Sequence, residues 1–113
     1  DIVLAEGLFS SVGFSRGFPV LLRYLKPEGY LVLHEEVFDK LEEDLVYRQY
    51  DMKLVYSQHL SADVWKNEYF NCLETAINRQ PPAIRDALLA DCSEIGWFKN
   101  NPMGSAYYIL QQR

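Results

Sequence analysis

A chain of 113 residues, 49% hydrophobic and 14% aromatic, holds the apolar material of one compact domain. Its formal charge of -5, with eleven basic residues scattered from Arg16 to Arg113, argues against a surface that tracks nucleic-acid phosphates. No apolar run reaches the length of a membrane span and no charged-then-apolar leader precedes Ile2, so a soluble cytoplasmic protein is the expectation.

The first element is "DIVLAEG", an apolar run from Ile2 to Ala5 closed by Glu6 and Gly7. "GYLVLHEE" repeats the pattern, and both read as strands buried on two faces of a parallel sheet. Between them lies a loop with Gly and Ser, then an apolar stretch from about Pro19, a residue suited to a first helical turn. Lys26-Pro27-Glu28-Gly29 supplies the turn into the second strand. Asp39 with Glu42 resembles a capping box, opening a helix that carries Leu41, Leu45 and Tyr47. "MKLVYSQHL" alternates Met52, Leu54 and Tyr56 against Lys53, Val55 and Ser57, the pattern of a strand near a sheet edge.

Ser61 caps the clearest helix, "ADVWKNEYFNCLETAINR". Trp65, Tyr69, Cys72, Leu73, Ala76 and Ile77 recur every three or four residues, which predicts an inward stripe opposite Lys66, Asn67, Asn71, Glu74, Asn78 and Arg79. After Pro81-Pro82 a final helix is expected over roughly Ala83 to Ser93, ended by Gly96, before a last strand, "SAYYILQQ". Cys72 and Cys92 fall in helical stretches without metal-ligand spacing and read as buried free thiols. No metal is expected. The elements add up to an α/β sheet of four strands.

Two ordered stretches carry a resemblance. "DIVLAEGLFSSVGF" and "LLRYLKPEGYLVLHE" resemble the fourth and fifth strand units of class I S-adenosylmethionine-dependent methyltransferases, with Leu25 to Gly29 standing where that family has Leu-Lys-Pro-Gly-Gly. "YDMKLVYSQHLSADVWKNEYFNCLE" is similar to the sixth strand and following helix of its small-molecule members, through Trp65, Tyr69, Phe70, Leu73 and Glu74. Glu28 departs from the usual glycine, and Tyr50 and Asp51 replace a Gly-Phe lead-in. The resemblance implies the C-terminal half of a Rossmann-like methyltransferase fold: a four-stranded mixed sheet, its last strand antiparallel, with flanking helices, forming a single partial domain over 1–113. The family's glycine-rich cofactor loop has no counterpart among the six glycines, so most S-adenosylmethionine contacts would belong to a preceding segment.

Ligands of open α/β sheets gather outside the carboxyl ends of the parallel strands. By position, the resemblance implies Ala5, Glu6 and Gly7 at the cofactor edge, and Phe9, Gly13 and Phe14 beside a small-molecule acceptor. Methyl transfer from a sulfonium is a direct displacement, so alignment supplies much of the catalysis and a base is needed only for a protonated acceptor. Glu6, His34 and Glu35 are the candidates, against the plainer reading of His34 as a satisfied polar group and of Glu35-Glu36 as a solvated loop. His59 falls away from that edge. The alternative function is a non-catalytic assembly or partner-binding module. In a chain lacking the first half of the fold, "DIVLAEG" would form an edge strand bare on both faces, and a homo-oligomer through it is expected.

Overall fold

The computed structural model describes residues 1–36 and 47–113; the capping box at Asp39 and Glu42, with Leu41 and Leu45, lies outside the described residues. Two compact units make up the chain, one from Asp1–His59 and Ser105–Arg113, the other from Leu60–Gly104.

The first unit is built on β1 (Ile2–Glu6), β2 (Tyr30–Glu36), β3 (Met52–Leu60) and β4 (Ser105–Gln112), in the sheet order β1-β2-β4-β3. β1 runs parallel to β2, from Ile2 opposite Tyr30 to Glu6 opposite His34. β4 is antiparallel to β2, from Tyr30 opposite Gln111 to Glu36 opposite Ser105. The mixed four-stranded sheet with flanking helices is therefore present as expected. Only Met52 of β3 is buried, as suits an edge strand, although Leu54 and Tyr56 are exposed rather than turned inward.

The β1 to β2 crossover differs from expectation. Helix begins at once, as α1 (Leu8–Val12), and resumes after Gly13 as α2 (Phe14–Leu22), with Pro19 inside α2 rather than at its start. Proline there forfeits one helical hydrogen bond. The helix persists because Phe18 beside it is fully buried and because Gly17 leaves room for the Phe9 ring, 2.7 Å from where a Cβ would stand. Phe9, Phe14 and Phe18 form a ring cluster with centroids 4.6 to 6.4 Å apart, packed over Leu31, Leu33 and Leu110. Residues 47–49 are helical, and Tyr47 joins this core.

β1 is bare on one face, not two. Ala5 is buried and Val3 half-buried, whereas Ile2 and Leu4 are 71% and 63% exposed. Period-two alternation accounts for this, because α1 and α2 cover only the face that carries Val3 and Ala5.

The second unit is helical. Ser61 caps α3 (Ala62–Trp65), its Oγ accepting the Val64 N–H at 3.3 Å. A π-turn, Lys66–Phe70, leads directly into α4 (Asn71–Asn78). That turn corrects the expected stripe. A π-turn spends an extra residue per turn, so the position after Trp65 on the inward face falls to Phe70, five residues on, and Tyr69 stands 44% exposed. Phe70 and Ile77 pack with Ile95 and Phe98, flanked by Trp65 and Leu73.

The last helical stretch is two helices, α5 (Pro82–Ala87) and α6 (Leu89–Asn100), broken at Leu88. α6 runs through Gly96 to Asn100 rather than stopping near Ser93, held by buried Ile95 and Phe98. Cys72 and Cys92 are free, but both are exposed; the π-turn rotates Cys72 off the packed face.

Candidate functional site

The parallel pairing of β1 and β2 brings their carboxyl ends together. Glu6 lies beside His34 in register, and register partners on parallel strands project from the same sheet face. Gly7 closes the pair: its N–H donates to the His34 carbonyl oxygen at 2.9 Å, and its φ of 60° and ψ of 16° turn the chain into α1. That left-handed conformation explains the glycine. A side chain at Gly7 would point into open space, so the backbone there is approachable from outside.

His34 is held from β4. Its Nε2 shares a 2.8 Å hydrogen bond with Ser105 Oγ, the donor depending on the ring tautomer. The imidazole also stacks on Tyr107, centroids 3.9 Å apart and planes within 7°. Two such contacts fix the ring's position and tilt.

Glu35 points the other way. It is 3% exposed on the face packed by the helices, where Oε1 accepts the Phe9 N–H at 3.1 Å. Its Oε2 is also buried and has no hydrogen-bond partner among the described residues. The three candidate bases are thus split: Glu6 and His34 share a face, while Glu35 anchors the start of α1 from beneath and is no part of a solvated loop.

Of the positions implied for the acceptor side, Phe9 is a core side chain, Phe14 is half-buried against it, and Gly13 separates α1 from α2 with open space on its Cα. His59 lies on β3, edge-on to Tyr108 at 6.2 Å, away from Glu6 and His34 in the sheet order. Sequence reasoning missed Ser105 and Tyr107. Pairing "SAYYILQQ" antiparallel against "YLVLHEE" would have found Tyr107 opposite His34, but only with the register in hand.

The sequence matches no protein-family model and no curated protein. Solved structures do match. A SAM-dependent methyltransferase from Thiobacillus denitrificans, solved with S-adenosyl-L-homocysteine, aligns with all of this chain at 16% identity and a TM-score of 0.61. StiE O-MT, residues 942–1257, aligns with 99% of the chain at 11% identity and a TM-score of 0.54. The [4+2]-cyclase SpnF does so over 99% at 20% identity and a TM-score of 0.53. The likeness shows the fold alone. This chain has part of a methyltransferase fold, and it spans 58%, 44% and 49% of the lengths of those three chains. One of them being a cyclase, the fold does not fix the reaction.

Proposed function

We propose that the chain is the C-terminal part of an S-adenosylmethionine-dependent methyltransferase acting on a small-molecule acceptor. The observation that best supports this reading is the alignment of the whole chain with about half of a solved methyltransferase that holds S-adenosyl-L-homocysteine.

The residues present fit one edge of such a cofactor. Open space beyond Gly7 and an exposed Glu6 at the carboxyl end of β1 leave the edge at Glu6 and Gly7 accessible, with Ala5 buried behind them. The bound sulfonium would supply a methyl group primed for direct displacement. His34 receives the proton of a protonated acceptor, its ring kept in place by Ser105 and Tyr107. Glu6, on the same face, orients the acceptor or takes the proton instead. The acceptor border that the resemblance implies for Gly13 and Phe14 lies with Phe9 on the helix-packed side of the sheet, opposite Glu6 and His34, and Glu35 holds α1 there.

Calorimetric titration tests the reading, on the 113-residue chain and on the full product of the open reading frame that encodes it. Micromolar binding of S-adenosylmethionine by the full product, and weak or no binding by the 113 residues, is the expected pair of results. No binding by the full product overturns the proposal.

One observation favours the second reading, an assembly module. β1 is a sheet edge with Ile2 and Leu4 exposed, a surface suited to pairing with another copy. Small-angle scattering of the 113-residue chain decides it: a dimer that dissociates on Leu4→Lys supports self-association, and a monodisperse monomer removes it.

A further inference from the structure

The helical unit contains a cavity of ≈ 230 Å³ within its own residues. Buried Phe70 and Phe98 line it, stacked at 4.1 Å with planes 19° apart. Its other lining residues include Asp63, Lys66, Asn71 and Lys99. Lys99 is already engaged, its Nζ 2.7 Å from Glu74 Oε1. Asp63 and Lys66 form no ion pair among the described residues. The cavity thus combines an apolar aromatic wall with one carboxylate and one ammonium not spent on each other.

The backbone supplies a second observation. Lys66 and Phe70 are the first and last residues of the π-turn, and Asn71 follows it. A π-turn is rare, occurs mostly as a single turn inside an α-helix, and recurs at functional sites. Here it delivers Phe70, not Tyr69, to the cavity wall and sets Lys66 beside it.

We propose that this cavity binds a free α-amino acid with an apolar side chain. The ligand's carboxylate meets Lys66 and the Asn71 amide, its ammonium meets Asp63, and its side chain lies against Phe70 and Phe98. A simple carboxylate would face Asp63 uncompensated, and a simple amine would face Lys66; only a zwitterion answers both charges. The site is independent of the methyl-transfer reading.

The experiment is a titration of the 113-residue chain with L-leucine, followed by amide NMR. Saturable shifts centred on Phe70, Asn71 and Phe98 are expected. Lys66→Met and Asp63→Asn alter exposed side chains, and each weakens binding by about tenfold, the loss of one charge-assisted hydrogen bond. Circular dichroism confirms that both variants stay folded. 4-Methylpentanoate and 3-methylbutylamine, which lack the ammonium and the carboxylate respectively, bind about tenfold more weakly than L-leucine or not at all. No saturable shift, shifts centred elsewhere, unchanged affinity in both variants, or an analogue that equals L-leucine overturns the proposal.

Discussion

The sheet unit and the helical unit are both built around phenylalanines in ring contact, yet they choose them by different rules. In the sheet unit the pleat decides: Leu31, Leu33 and Glu35 go inward, Val32 and His34 face the other side, and strand pairing holds the order. In the helical unit a single π-turn moves the inward position from Tyr69 to Phe70 and everything downstream follows. A strand cannot slip by one residue without turning its whole core outward. A helix can take up one residue and continue on a rotated face.

Among the described residues the cores also differ in size, eleven buried residues against four, and this gives the largest expected effect. Phe18→Ala removes a ring that is 0% exposed from the larger core and should cost about 3–5 kcal/mol. Phe98→Ala in the smaller core should fall at or below the low end of that range, because a small cluster collapses more readily around a void. Both tryptophans, Trp65 and Trp97, lie in the helical unit, so their fluorescence in urea reports that unit while far-UV circular dichroism reports the whole chain. Coincident transitions in wild type and in both variants would make the chain one cooperative body and remove the energetic side of the contrast.

Glu35 tests the sheet unit where it borders the candidate site. Glu35→Ala strands the buried Phe9 N–H and should cost about 1–3 kcal/mol. Glu35→Gln keeps an acceptor oxygen and should lose much less. If the glutamine variant is as unstable as the alanine variant in urea melts, anchoring α1 is not what Glu35 does.

The rule for the helical unit is broken by deleting Asn67, an exposed residue inside the π-turn. Deletion leaves Trp65 and Phe70 four residues apart, an α-helical spacing with the same inward face. The expected cost is below about 1 kcal/mol, the scale of a surface change. Loss of the cooperative fluorescence transition would show that the π-turn is needed for the fold. Survival of the fold would show that the π-turn is dispensable for it.

These contrasts explain what was legible in the sequence. The strand with Tyr30–Glu36 and the strand Ser105–Gln112 could be read directly, because short apolar runs between turn signals have few other solutions. The pairing of Glu6 with His34 followed from two successive parallel strands. Ser105 and Tyr107 did not, since they reach His34 through a register that about 70 intervening residues of chain leave open. The exposure of Cys72 and the inward turn of Phe70 depend on one extra residue in a helical turn, for which periodicity has no signal.

The smallest effect concerns the turn that feeds β2. Glu28 has a φ of 60°, and Gly29 closes the turn by donating to the Lys26 oxygen at 2.8 Å. A side chain in the left-handed region costs about 1–2 kcal/mol, which glycine avoids. Glycine also loosens the unfolded chain, by about 0.4–1 kcal/mol in the opposite direction. Glu28→Gly should therefore stabilise the sheet unit by roughly 0.5–1 kcal/mol, the difference of those two terms. Thermal melts suffice to see it. A variant that melts lower would mean that Glu28 contributes through its side chain, and the sheet unit would then depend on a specific contact at the turn as the helical unit depends on its π-turn.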